Sequence, residues 1–150
     1  MRVLPADPGP LTVSCDGAAR GNPGPAGIGV FITTAQGDVV ATIAEGLGRT
    51  TNNVAEYTAA REGLRRAADL GATVVHLRSD SQLLIEQLMG RYKVKAPHLR
   101  PLFAEVMALA DRFDRITFEH VPRERNREAD RLANEGVDDW LRSRSGDRDP

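Results

Sequence analysis

Three strand-like runs follow one another near the start of this chain before any helical pattern appears, and beyond them helix and strand patterns alternate to the end. Leu11-Thr-Val-Ser-Cys alternates apolar and polar residues. Gly27-Ile-Gly-Val-Phe-Ile-Thr forms a second run whose glycines leave room for close backbone approach. Ala35-Gln-Gly-Asp is a turn into Val39-Val-Ala-Thr-Ile-Ala-Glu-Gly. Three strands joined so closely predict an antiparallel meander.

The remainder reads as alternation. From Asn53 to Leu70 the apolar residues Val54, Ala55, Tyr57, Ala60, Leu64, Ala67 and Ala68 recur mainly at helical spacings, and Gly71 ends the pattern. Thr73 to Ser79 is a buried-type strand, and Ser81 to Met89 a short helix stopped at Gly90. Pro101 suits the first turn of a third helix reaching about Phe113. Arg115-Ile-Thr-Phe-Glu-His-Val is a fifth strand, and a last helix spans Arg127 to Arg142. The order βββαβααβα predicts an α/β fold, a five-stranded mixed sheet with helices on its faces and the last two strands reached through crossovers. Residues 1–10, with three prolines, read as an extended lead-in, residues 11–142 as the single domain, and residues 143–150 as a flexible polar tail.

Composition narrows function mainly by exclusion. A formal net charge of −1 gives no overall basic excess, so any grip on nucleic acid must come from local patches. Eighteen of the basic residues are Arg; the two lysines, Lys93 and Lys95, share one segment. The single cysteine, Cys15, excludes an internal disulfide and fits a reducing compartment. No apolar stretch approaches the ~18 to 20 residues of a membrane span, and the start Met-Arg-Val-Leu-Pro lacks a signal-peptide core. A cytoplasmic protein without membrane contact is expected.

Four carboxylates stand at element boundaries. Asp16 is expected to end the first strand, Asp80 the fourth, Glu56 to lie in the first turn of the long helix and Asp130 in the first turn of the last. In mixed sheets, ligands bind beyond the carboxyl ends of adjacent parallel strands where the winding reverses. Four carboxylates in one crevice repel one another unless a cation joins them. An oxygen-only, partly open site suits Mg²⁺, whereas Zn²⁺ favours His and Cys. His76, His98 and His120 show no ligand spacing and read as strand or cap residues. Two ions about 4 Å apart can activate a water and stabilise both oxygens of an in-line displacement, which describes a phosphodiester hydrolase.

The motifs around these residues are Cys-Asp-Gly-Ala-Ala-Arg-Gly-Asn-Pro-Gly-Pro-Ala-Gly from Cys15, Thr-Asn-Asn-Val-Ala-Glu-Tyr from Thr51, Arg-Ser-Asp-Ser-Gln from Arg78, and Asn-Arg-Glu-Ala-Asp-Arg-Leu-Ala-Asn from Asn126. Together, over about Leu11 to Leu141, they resemble type 1 ribonuclease H. The resemblance implies the ribonuclease H-like fold and cleavage of the RNA strand of RNA/DNA hybrids, leaving 5′-phosphate and 3′-hydroxyl ends. It implies two Mg²⁺ ions, with Mn²⁺ as a substitute. Asp16 would bridge them, Asp130 would help hold the ion that activates water, and Glu56 and Asp80 the ion at the leaving side. On the same picture the amides of Asn22, Asn52, Asn53 and Gln82 can address minor-groove edges and 2′-hydroxyls, with helix capping the alternative for Asn52 and Asn53. Thr51 would touch a phosphate. Lys93 and Lys95, with Arg91 and Arg100, would contact the DNA strand or form a solvated loop.

Two departures mark this chain. The segment from Gly90 to His98 is too short for the extra basic helix with which many members grip the hybrid. The loop Val121-Pro-Arg-Glu-Arg-Asn lacks the mobile histidine of many members and has Arg123 seven residues before Asp130. That form resembles the archaeal and actinobacterial branch, some members of which also cut double-stranded RNA. Arg123 is expected to contact substrate, and Glu124 is a candidate to assist proton transfer. A monomer is expected, and the resemblance allows a longer chain with a phosphatase domain following. A module that binds hybrid without cutting it is the competing reading, against which the presence of all four carboxylates argues.

Overall fold

In the computed structural model, which describes residues 6–148, the first three strands form the meander. β1 (Leu11–Ala19), β2 (Gly24–Thr34) and β3 (Val39–Thr50) pair antiparallel in succession. α1 (Asn52–Asp69) carries the chain to β4 (Val74–Ser79), which lies parallel to β1. α2 (Gln82–Leu88), a 3₁₀ turn at Pro97–Leu99 and α3 (Arg100–Ala110) lead to β5 (Arg115–His120), parallel to β4. α4 (Arg127–Arg148) closes the chain, and the sheet order is β3-β2-β1-β4-β5. The winding therefore reverses at β1, antiparallel on one side and parallel on the other.

Local signals set the helix ends. The Thr51 hydroxyl accepts the Val54 N–H at 3.2 Å, and Ser81 does the same for Leu84 at 3.2 Å, each satisfying an amide that the first turn leaves free. Gly71 and Gly90, both at positive φ, lead the chain away after α1 and α2.

Successive strand residues face opposite sides of the sheet, and the helices divide accordingly. Val13 and Val30 meet Gly63 of α1, while Gly27 and Gly29 meet α4. α1, with α3 beside it, covers one face over Val13, Cys15, Val30, Ile32, Val75 and Leu77, all at most 1% exposed. Each of the larger apolar side chains contributes about 1.5–3 kcal/mol by burial. α4 covers the other face over β1, β2 and β3. Two glycines bring the helices unusually close. A Cβ on Gly29 would lie 2.0 Å from the Ala129 carbonyl oxygen, and one on Gly17 would lie 2.3 Å from the Ala55 carbonyl carbon.

The structure moves three expected boundaries. β1 continues past Asp16 to Ala19 because its hairpin pairing with β2 extends to Ala19↔Ala26, although its parallel pairing with β4 stops at Ser14↔Arg78. α1 begins one residue earlier than its periodicity suggests, which puts Glu56 at its fifth position, in the second turn. α4 runs to Arg148, so residues 143–148 continue the helix instead of forming a tail. Trp140 packs on Gly46 of β3, and Arg144 sits 4.8 Å over its ring, which favours that continuation. Of the lead-in, residues 6–10 form neither helix nor strand, and Asp7 accepts the Thr73 hydroxyl at 2.8 Å. Residues 1–5 and 149–150 lie outside the described residues. Among the described residues, no helix is long and apolar enough to cross a membrane.

If the α4 contact at Gly29 sets the fold, Gly29→Ala should lower unfolding free energy in urea by about 2–3 kcal/mol through overpacking. Gly37→Ala, at the β2–β3 turn with φ +89° and open space around it, should cost only about 1 kcal/mol of backbone strain. The reverse order would contradict this reading.

Candidate active site

The carboxyl end of the β1–β4 pair is where the winding reverses, and the acidic side chains converge there. Asp16 lies two residues beyond the last parallel pair, and Asp80 follows the final residue of β4. Because Gly17 lacks a side chain, the start of α1 abuts β1 and Glu56 reaches Asp16. Gly29, the cross-strand partner of Asp16, does the same for α4, whose Ala129 and Asp130 follow the contact. Carboxylate oxygens of Asp16, Glu56 and Asp80 all lie within 4.8 Å of one another. Asp130 is within hydrogen-bonding reach of Asp16 and shares the same open cleft of about 430 Å³.

This cluster is electrostatically expensive. Asp16 and Glu56 are each 5% exposed. Burial, then the Asp80 charge and the hydrogen bond with Asp130, push the Asp16 carboxyl up to about 8. Burial and the charges of Asp16 and Asp80 hold Glu56 well above its ordinary value, opposed by a hydrogen bond from the Gly17 N–H. Asp80 is raised by burial and by Asp130, but hydrogen bonds from Asp16 and Asn126 and the Arg123 charge oppose the shift. The Cys15 thiol, on the other side of β1, is pushed up by burial and then by the same carboxylates, which keeps it protonated and unreactive. One oxygen of Glu56, Oε2, is buried with no hydrogen-bond partner. An all-oxygen set with an orphaned buried acceptor fits a hard divalent cation, and Asp16, Glu56, Asp80 and Asp130 are the residues able to hold it.

The other expected residues divide between two surfaces. Asn52 and Arg123 line the carboxylate cleft, with the Arg123 guanidinium 3.8 Å from Asp130 and 79% exposed. Asn22 supports the site from behind, its Oδ1 accepting the Asn52 N–H at 3.1 Å. Thr51 is the α1 cap. Asn53, Lys93 and Lys95 instead line a neighbouring groove of about 530 Å³ with Gln87 and Tyr92. Gln82 opens α2, exposed, and borders neither cavity. Glu124 sits in a 3₁₀ turn and is not part of the cleft wall, whereas His120 is. Arg20 and Asn134, to which the sequence assigned no role, also line the cleft; Arg20 pairs with Asp138 at 2.7 Å and with Asn134 Oδ1 at 3.3 Å. Each had a signal in a motif, Arg20 in the one from Cys15 and Asn134 at the end of the one from Asn126, and the expectation that β1 ends at Asp16 masked the first.

A family model described as reverse transcriptase-like matches residues 14–136. Ribonuclease HI of Halobacterium salinarum is 43% identical over 137 residues, 91% of this chain and 69% of that protein. The chain belongs to the ribonuclease H family. It is also 48% identical over 141 residues to the bifunctional protein Rv2228c of Mycobacterium tuberculosis, covering 93% of the chain but 39% of the relative. It thus spans about two fifths of the length of that curated relative. The solved N-terminal RNase H domain of Rv2228c superposes with a TM-score of 0.84, covering 85% of this chain and 98% of that one. LC11-RNase H1, solved in complex with RNA/DNA hybrid, is 41% identical with a TM-score of 0.82, covering 87% and 99%.

The raised carboxyl of Asp16 gives the domain a pH signature. Its folded value, about 8, exceeds the ordinary 3.8, so the native state holds a proton that the unfolded chain releases. Without divalent cation, this contribution is full below the ordinary value and is lost as pH rises through the folded one. Asp16→Asn should therefore melt higher than the parent near pH 8 in chelator, by at least ~1 kcal/mol or roughly 2–4 °C, with the gap closing toward pH 4. Thermal melts across that range check it, and a parent as stable as the variant near pH 8 would contradict it.

Proposed function

We propose that this domain is a divalent-cation-dependent endonuclease that hydrolyses the RNA strand of RNA/DNA hybrids, leaving 5′-phosphate and 3′-hydroxyl ends. The observation that carries this reading is the trio Asp16, Glu56 and Asp80, with oxygens within 4.8 Å of one another and a buried Glu56 oxygen lacking a partner, in an open cleft at the sheet's switch point. The hybrid bound to LC11-RNase H1 supports the substrate class. Asp16 interacts with Glu56, Asp80 and Asp130 alike, which suits a carboxylate shared by two ions. Mg²⁺ or Mn²⁺ held there supplies a water of lowered pKa and positive charge for the scissile phosphate and leaving oxygen.

The chain's own groups then position the substrate. Asn52, held by Asn22, presents an amide beside the carboxylates that can exchange hydrogen bonds with a 2′-hydroxyl, which DNA lacks. Gln82 and Asn53 extend that reading along the minor groove. Arg123, exposed beside Asp130, is free to turn toward a phosphate. Lys93, Lys95 and Arg91 line the second groove and meet the DNA strand, where they add salt-dependent affinity without base selectivity. The domain works as a monomer in the cytoplasm, as part of a longer polypeptide; the bifunctional mycobacterial relative, of which it spans 39%, supports the last point, and a phosphatase domain is the proposed neighbour.

End-labelled hybrid, double-stranded RNA, single-stranded RNA and duplex DNA, incubated with Mg²⁺ or Mn²⁺ and with chelator, test the reading. RNA-strand cleavage of the hybrid should require cation and fall by at least ~100-fold in Asp16→Asn and Asp130→Asn. Double-stranded RNA is the expected second substrate. Cutting of DNA strands, cleavage that survives chelation, or an unimpaired Asp16→Asn would overturn it.

A further inference from the structure

Asn126 is 1% exposed, yet it lies in a surface loop between β5 and α4, and no step above uses its side chain. Its amide Nδ2 donates to the Cys15 carbonyl at 3.0 Å, across 111 residues of sequence. Cys15 immediately precedes Asp16, so this bond holds the peptide from which Asp16 projects. The Asn126 side chain also lies beside Asp80 and eases the charge on its carboxyl. Its backbone carbonyl accepts the Asp130 N–H at 3.0 Å, and its own N–H donates to the Arg123 carbonyl at 3.0 Å, closing the turn that carries Arg123.

An asparagine just before a helix is ordinarily a cap, its oxygen accepting an amide of the first turn. Here Oδ1 has no hydrogen-bond partner, so the side chain is not spent on α4. It is spent on β1, next to Asp80. The loop around it is tied down as well, with the Val121 N–H donating to the Ser79 carbonyl at 2.9 Å beside Asp80.

We propose that Asn126 is a positioning residue that sets the spacing of the carboxylates, locking Asp80 and the start of α4 to the strand that bears Asp16. This rests on the proposed cation-dependent cleavage and deepens it. Cation affinity and turnover depend on the Asn126 side chain, whereas hybrid affinity, carried by groups that this side chain does not bond, does not. Groups that orient ligating carboxylates typically govern affinity or activity by about 10–100-fold.

The test measures Mn²⁺ binding to the free domain by calorimetry, kcat and KM on hybrid, and folding by circular dichroism, for the parent and Asn126→Ala. Leu109→Ala, in α3 and far from the site in the fold, is the destabilised control. The expected result is Mn²⁺ affinity and kcat each lower by about 10–100-fold with KM within about 2-fold, while Leu109→Ala keeps parental Mn²⁺ affinity. Mn²⁺ affinity within about 2-fold of the parent in folded Asn126→Ala overturns the proposal, as does a loss confined to KM. Should the alanine variant not fold, Asn126→Ser is measured in its place; failure of both to fold makes Asn126 a residue of the fold alone and overturns it too. A parent that binds Mn²⁺ but leaves hybrid intact defeats the proposed cleavage, and the Mn²⁺ arm alone then decides the role of Asn126.

Discussion

The acidic site depends on two positions without side chains that flank and face Asp16. Gly17 lets the backbone of α1 rest against β1, and Gly29, paired with Asp16 across the hairpin, lets α4 rest on β2 from the opposite face of the sheet. Each contact is made by the helix residue just before a carboxylate, Ala55 before Glu56 and Ala129 before Asp130. Any Cβ at either glycine would push a helix outward and the carboxylate with it. Packing on both faces of the β1–β2 hairpin thus becomes the geometry of the site.

That geometry conflicts with stability. Carboxylates brought together and largely removed from water raise one another's pKa, and Asp16 carries the clearest mark of it. A fold selected for stability alone would place an amide or an apolar residue there. The apolar face under α1, with Val13, Val30, Leu64 and Leu77 completely buried, offsets the strain. Arg123 and Asn126 ease the charge on Asp80 without abolishing the repulsion, so the cluster retains its demand for a cation.

Much of this was legible in the sequence, for physical reasons. Element order follows from hydrophobic period, and the meander followed by alternation leaves few ways to build a sheet. The four carboxylates were legible because each stands among small or amide residues at a boundary. Asp16 was harder to place: β1 ends at different points toward its two neighbours, and a single sequence shows only one alternation. The length of α4 was hidden because Ser143-Arg-Ser reads as a polar tail, while the packing of Trp140 on β3 is a long-range contact. The amide residues scattered most. Asn53 turned with its helix toward the lysine-lined groove, Asn22 became a support for Asn52, and the use of Asn126 required a carbonyl 111 residues away.

A divalent cation entering this site should replace protons held by the crowded carboxylate cluster, with Asp16 at its centre. Calorimetric titration of Mg²⁺ into the domain at neutral pH, in two buffers of different ionisation enthalpy, tests it most directly. The expected result is a buffer-dependent heat equivalent to on the order of one proton released per domain, lost together with binding in Asp16→Asn. Tight binding with no buffer dependence, or binding unchanged in that variant, would contradict it.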